Sequence, residues 1–439
     1  MSGHSTYEPK SAFERWLDAR LPVWRFSADL LSYPTPRNLN YWWTFGGVLG
    51  FCLATQIITG IVLAMHYHPS AAGAFISVEQ HIMRDVNYGW LIRDIHATCA
   101  SMFFVAVYIH IARGIYYGSF KPPREVLWII GCIIYMLMMA TAFFGYVLPW
   151  GQMSFWGAKV ITNLLGAIPV IGKSITTLLW GGFAVDDPTL NRFYSLHYLL
   201  PFVIAFFVVL HIWALHVPGN NNPTGVNVKS KADTLPFHPF YTVKDAFAVA
   251  LFMIVMAVFI FYMPEALVKP ENYVPANPLV TPVHITPEWY LMPFYAILRA
   301  IPNKLLGAIA LAGAILLLVP LPWIDGAKVR SMRYRPTSRI FFFLWILSVL
   351  ILGWCGSKEP DDLVIPHLTS PVFVDYPINS VTWLARLGTL YYFCWYIFIT
   401  PIVSRIEKTL PVPDSLYTPV LQPASPKTGA PATAEPVEA

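Results

Sequence analysis

Eight stretches of this sequence run for about 20 residues with hardly a formal charge, at 41–66, 89–113, 125–149, 190–216, 243–263, 304–323, 339–356 and 381–403. A run of that length spans the hydrocarbon core of a bilayer as a helix. Lipid offers no partner to backbone N–H and C=O groups, and a helix satisfies them within one segment. The alternation of a membrane barrel strand is absent. Composition agrees, since 56% of the 439 residues are hydrophobic and only 12% charged, too apolar for a soluble chain of this length. The chain reads as an all-α, polytopic membrane protein with eight transmembrane helices.

Residues 1–40 carry Lys10, Arg15, Arg20, Arg25 and Arg37 and do not read as a cleavable signal peptide. Within them, SAFERWLDARLPVWRFSADLL has the pattern of an amphipathic helix lying on a membrane surface. With the N-terminus in the cytoplasm, the cytoplasmic connections and termini hold 19 of the Lys and Arg residues and the opposite side 10. The positive-inside rule therefore puts both termini in the cytoplasm. The cytoplasmic face is called n below and the opposite face p. Cys52, Cys99, Cys132, Cys355 and Cys394 show no C-x-x-C pairing and no C-x-x-C-H haem attachment, so they read as small core residues. Residues 411–439 are rich in Pro and Ala and read as a disordered tail. The expected segments are 1–40 at the surface, 41–220 and 221–410 as four helices each, and the tail. Membrane lipid surrounds such a chain, and no nucleic acid is expected as a partner.

Two spans carry ionisable residues that oil would normally exclude. His96 and His110 in the second span are fourteen residues apart, and so are His197 and His211 in the fourth. Ionisable groups inside a span are costly and by default mark function. Fourteen helical residues return to within roughly 40° of the starting direction and rise about 21 Å. Each helix thus presents two imidazoles to one neighbour at two depths. The two spans run parallel, which sets His96 level with His197 and His110 level with His211. That arrangement suits two bis-histidine haems stacked across the membrane. Zinc fits poorly, because neither pair has a third or fourth ligand beside it.

A haem between helices needs flanking positions without side chains. Gly46 and Gly60 in the first span and Gly131 and Gly145 in the third are again fourteen apart. Close helix packing is the alternative use of such glycines, but the shared spacing favours clearance for two macrocycles. Arg93 stands three residues before His96 and Arg113 three after His110. Each shares its histidine's side of the helix and is suited to a haem propionate; snorkelling from a helix end is the alternative.

With these residues in place, three further stretches carry a resemblance: GYVLPWGQMSFWGAKVITNL after the third span, GNNNPTG after the fourth, and PEWY at Pro287–Tyr290. Nearly the whole chain resembles the cytochrome b family of bc1 complexes, the quinol:cytochrome c oxidoreductases. The related b6f type divides this chain in two and spaces the second histidine pair one residue wider. One continuous chain with equal spacing is the mitochondrial and proteobacterial pattern, and the Pro/Ala-rich tail points to a bacterial inner membrane.

The resemblance implies an N-terminal four-helix bundle holding two non-covalent b-type haems, on His96/His197 near the p face and His110/His211 near the n face. It implies a quinol-oxidation pocket on the p face, with Glu288 as proton acceptor and Tyr146 beside it. Phe143, Met153, Gly157, Pro287, Trp289, Tyr290, Phe294 and Tyr295 match the rest of that pocket. A loop surface charge is the ordinary reading of an isolated Glu. On the n face it implies a quinone-reduction pocket of His216, Asn220, Lys244 and Asp245; His216 lies five residues past His211, roughly 140° round the helix and so on another side. The implied activity passes electrons from quinol through both haems to quinone and translocates protons. A Rieske iron-sulfur protein, a cytochrome c1 and a homodimeric complex are implied as partners, since this chain has no cluster ligands or c-type haem motif. The rival reading is a di-haem electron relay for another quinone-linked dehydrogenase. A transporter with broken helices at midmembrane is a further class.

Overall fold

The structure, a computed structural model, describes residues 7–368 and 370–416. Most of the predicted tail, 417–439, lies outside the described residues. The membrane helices are α1 (Phe45–Ala64), α2 (Gly89–Tyr116), α3 (Glu125–Val147), α4 (Asp187–His216), α5 (Phe240–Tyr262), α6 (Lys304–Leu316), α7 (Pro336–Gly356) and α8 (Val381–Cys394). The last continues through a π turn into Thr400–Ile406. Among the described residues, seven helices are long and apolar enough to cross a membrane, and α6 is a shorter apolar helix of 13 residues. The sixth expected span, 304–323, is therefore cut short. Pro320 and Pro322 remove backbone donors, and the chain turns after Leu316 before a four-residue helix, Leu321–Ile324.

Helix ends follow local chemistry. Asp186 caps α4 in a reciprocal box with Thr189, and Asn303 caps α6 by accepting from the Leu306 N–H, each satisfying donors that helix starts leave open. In the first half, α1 packs along α2 and α3 along α4, whereas direct packing between the two pairs is sparse. The pairs stand apart and leave a cleft. In the second half, α7 packs against α8 and a short helix, Met292–Ala300, while α5 lies on α1 and α2.

The connections of each face are tied together. Between α3 and α4 lie two short helices, Gln152–Leu165 and Gly172–Trp180. Asn272 of the α5–α6 connection accepts from the Ser154 N–H and hydroxyl, both at 2.9 Å, and the Gln152 N–H donates to Val274 O at 2.9 Å. On the other face Pro34–Pro36 pairs antiparallel with Thr234–Pro236, and the Ser415 hydroxyl lies 3.2 Å from Asp233 Oδ1. Both ends of the described chain thus meet the α4–α5 connection, which requires an even number of crossings.

An ion network also binds this face. Asp325 pairs with Lys121 at 2.8 Å and with Arg335 at 2.7 Å, and Arg335 reaches Glu407 at 2.7 Å. It links the α2–α3 connection, the α6–α7 connection and the end of the last helix. Burial alone would raise the Asp325 pKa, but Lys121 and Arg335 outweigh it and hold the carboxyl below its ordinary value. Removing one member leaves buried charge uncompensated, so Asp325→Ala is expected to cost about 3–5 kcal/mol, read as a lowered unfolding midpoint of the detergent-purified protein. A depressed carboxylate stabilises the fold fully above its unfolded value. Asp325's share should therefore hold above the ordinary 3.8 and be lost only as pH falls below it; an unfolding midpoint equal in variant and parent would refute the role.

Candidate functional site

The cleft between the two helix pairs brings the four membrane histidines together two by two. The rings of His96 and His197 lie 6.1 Å apart between centroids, and those of His110 and His211 lie 6.5 Å apart. A metal midway between two imidazole nitrogens, with bonds of about 2 Å each, holds ring centroids roughly 6 Å apart. His96 Nδ1 pairs with the Thr59 hydroxyl and His197 Nδ1 with the Thr141 carbonyl, both at 2.8 Å. Such a bond fixes the proton on Nδ1 and leaves Nε2 to ligate. His211 Nδ1 turns toward the Leu127 carbonyl without completing a hydrogen bond. Among the described residues no group of three or more His, Cys, Asp or Glu is placed to hold a metal.

The glycines have a more specific place than clearance for a flat ring. Each faces one histidine of its helix partner. A Cβ at Gly46 would lie 3.7 Å from His110 Cε1, at Gly60 3.2 Å from His96 Cε1, and at Gly131 3.1 Å from His211 Cε1. At Gly145 it would overlap the His197 ring. The missing side chains give the imidazoles room to reach the cleft, so glycine and histidine spacing agree because they are in contact.

The two arginines differ. Arg93 already faces carboxylates, with Asp94 at 3.2 Å and Glu79 at 3.7 Å. Arg113 stacks over Trp43 at 5.0 Å, its Nε is buried without a partner, and its Nη2 lies 3.2 Å from His110 Nδ1. A buried guanidinium without a carboxylate calls for an anion. Donation from Arg113 to Nδ1 also puts the His110 proton on Nε2, which excludes ligation there; an anionic group that drew Arg113 away would resolve both. The donor set therefore fits a doubly ligated planar group with acidic side arms.

Toward the face that carries the α3–α4 and α5–α6 connections, a cavity of about 260 Å³ is lined by both His96 and His197 and extends to Tyr146, Glu288 and Tyr290. Glu288 is 8% exposed, its Oε1 has no hydrogen-bond partner, and neither has the Tyr146 hydroxyl facing it. Burial pushes the Glu288 carboxyl up to about 7, with Tyr146 and Lys269 opposing. Phe143, Met153, Gly157, Pro287, Trp289, Phe294 and Tyr295 do not line this cavity. Phe143 packs against Phe193 at 5.7 Å, Met153 and Phe294 are buried, and the Tyr295 hydroxyl donates to Ile285 O at 3.2 Å.

Residues 30–219 match the family profile described as cytochrome b/b6/petB, and residues 275–373 match cytochrome b (C-terminal)/b6/petD. The chain belongs to the cytochrome b family. It is 55% identical over 406 residues to cytochrome b of Rickettsia bellii, covering 92% of this chain and 97% of that one. It is 56% identical over 422 residues to the cytochrome b/c1 of Bradyrhizobium diazoefficiens, covering 96% of this chain and 59% of that longer protein. Among solved structures, a chain of a hyperthermophilic respiratory Complex III superposes with a TM-score of 0.80 at 35% identity, covering 90% of this chain and 99% of that chain. Haem binding and electron transport in a multi-pass membrane protein follow from the family.

The residues that the cytochrome b resemblance places on the n face are dispersed. His216 Nδ1 bonds its own helix at Ile212 O, 2.7 Å away, and Tyr33 meets the His216 ring edge-on at 4.6 Å. Asp245 rests on α1, where a Cβ at Gly47 would lie 3.5 Å from its carboxyl. The neighbouring Gly46 faces His110, so Asp245 and the n-side histidine share a level. The Lys244 ammonium is committed to Leu39 O at 2.7 Å and lies over the Tyr41 ring at 4.7 Å; Asn220 is half-buried in the loop. Sequence reasoning missed Tyr33, Gly47, Thr59, Thr141 and Asn272. A threonine in a span or a tyrosine in a surface segment carries no signal until the fold shows its partner.

The glycine contacts give a graded expectation. Gly145→Ala should displace His197 and abolish one component of the b-type absorption difference spectrum of the purified complex, whereas Gly46→Ala, with ordinary contact distance available, should keep both. Equal spectra for the two variants would contradict the assignment.

Proposed function

We propose that this chain is the quinone-reacting subunit of a bc1-type quinol:cytochrome c oxidoreductase in a bacterial inner membrane, with both termini cytoplasmic. The observation that carries the reading is that one cavity is shared by the His96/His197 pair and by Glu288, whose Oε1 has no hydrogen-bond partner. A relay of electrons alone has no use for a buried carboxylate tuned toward neutrality beside the histidine pair.

Bound on His96/His197 and His110/His211, b-type haems would supply one-electron transfer from the p side to the n side. Arg113, and Arg93 with its carboxylates, would hold the propionates. Glu288 accepts a proton from quinol when deprotonated, and Tyr146 offers the facing hydroxyl that orients it. Burial in the cavity excludes water, so the proton goes to the carboxylate that geometry presents. One electron of each quinol leaves to a Rieske iron-sulfur protein and on to a cytochrome c1, and the other crosses the bundle. On the n face Asp245 and His216 hydrogen-bond a quinone and supply protons from the cytoplasm. Tyr33 supports His216, and Lys244 braces the first turn of α5 on Leu39. Two quinols oxidised for each quinone reduced move protons across the membrane. The complex is a homodimer, as the family resemblance implies.

A base with a pKa near 7 must lose its proton to act, so kcat/KM for quinol oxidation should fall as pH drops below about 7. Glu288→Gln should remove that limb and lower the rate by about 10²-fold or more, measured as cytochrome c reduction by the assembled complex. A variant with parental rate and pH profile would rule Glu288 out as the base. His211→Ala should remove one of two b-type spectral components and leave the other.

A further inference from the structure

We propose that Tyr108 and Tyr135, two tyrosines inside the membrane, are positioning residues for the p-side pocket: their hydroxyls hold the Trp289–Leu291 turn, and through it the Glu288 carboxylate, in register with His96. The proposal rests on the reading of Glu288 as the proton acceptor.

The carboxylate needs such support because the groups that face it, Tyr146 and Lys269, leave its Oε1 without a hydrogen bond, and the Tyr146 hydroxyl makes none. Its place is therefore set by its backbone, which enters a single 3-10 turn, Trp289–Leu291, with the Leu291 N–H donating to Glu288 O at 2.9 Å. One turn has no rigidity of its own; it borrows that of what it rests on.

It rests on α2 at three points. Trp289 Nε1 donates to the Ser101 hydroxyl at 3.3 Å. The Tyr290 ring stacks on Phe104 at 3.9 Å between centroids and 3° between planes. The Tyr108 hydroxyl donates to the Tyr290 carbonyl. Positions 101, 104 and 108 are spaced three and four apart and form one face of the helix. Ser101 lies five residues past His96, roughly 140° away round α2. One side of α2 thus presents the imidazole and another carries the turn, so the helix acts as a fixed spacer between proton acceptor and histidine.

The third contact is the directional one, and it is itself braced. Tyr135 of α3, 2% exposed, donates to the Tyr108 hydroxyl at 3.3 Å. Each hydroxyl in the chain donates once, Tyr135 to Tyr108 and Tyr108 to the Tyr290 carbonyl, and the chain crosses from α3 to α2 to the turn. Phenylalanine at 108 or 135 would fill the same space. What the hydroxyls add is orientation, at a depth where no water can replace them. The groups facing Glu288 itself, Tyr146 from α3 and Lys269 from the α5–α6 connection, are untouched by either change.

The test uses the assembled complex in its own membrane, carrying Tyr108→Phe, Tyr135→Phe, Glu288→Gln, and Tyr108→Phe combined with Glu288→Gln. Tyr108→Phe should lower kcat for quinol oxidation about tenfold with b-type absorption intact. As the turn loosens and water reaches the carboxylate, its acidic limb should move to lower pH. Tyr135→Phe should do the same to a smaller extent. In the Glu288→Gln background Tyr108→Phe should cost nothing further, because it acts through the carboxylate. Parental kcat and limb in Tyr108→Phe, a loss that adds in full to that of Glu288→Gln, or a loss traced to missing b-type absorption would each overturn the proposal. If Glu288→Gln itself keeps full activity, the site reading fails and the positioning role with it; if only Glu288→Gln is impaired, the positioning role alone fails.

Discussion

Inside a bilayer no solvent completes an unmade hydrogen bond, and the rest of this structure follows from that absence. The backbone has to close on itself, so the chain runs as long helices. Polar side chains have to find protein partners or something bound. The threonines meet histidines, Thr59 with His96 at 2.8 Å, and Tyr108 donates to Tyr290. Three groups without a protein partner, Arg113 Nε, His211 Nδ1 and Glu288 Oε1, lie beside the histidine pairs and in the pocket with His96 and His197. Orphaned polar atoms in lipid are expensive, and these three sit where a ligand or a reaction would use them.

The cleft follows from how the helices choose neighbours. Packing of α1 with α2 and α3 with α4 is close because glycines leave room for the imidazoles to pass beside the partner helix. Each helix pair therefore behaves as a wall carrying two projecting rings, and sparse contact between the walls leaves their separation to whatever lies between them. The same contacts explain why one spacing of fourteen appears in both residue types. A glycine stands opposite every histidine of the two pairs, and antiparallel helices of equal rise repeat at equal intervals.

The candidate groups outside the bundle depend on long-range ties. Glu288 belongs to the α5–α6 connection, but its surroundings come from α2, α3 and the α3–α4 helices, joined through Asn272. On the other face Asp245 comes to the level of His110 through the neighbouring Gly46 and Gly47 of α1. The ion network around Asp325 and Arg335 performs a mechanical task there, fastening the C-terminal helices to the connection that follows α2. Its four charges are buried and mutually neutralised, so it holds the two halves together without presenting a charge to the pockets.

Sequence alone determined the fold class, the number of long apolar segments to within the shortened α6, and the family, because those depend on local hydrophobicity and on residue identity at regular intervals. It also placed both histidines of α2 and both of α4 on one side of their helices, since helical geometry is the same everywhere. Only the tertiary structure decided what those residues meet. That Gly145 touches His197, that Phe143 and Met153 pack away from the cavity while Tyr146 and Glu288 share it, and that Lys244 spends its charge on Leu39 are contacts between segments up to hundreds of residues apart. Such contacts arise from the packing of whole helices and loops, and no local pattern encodes them.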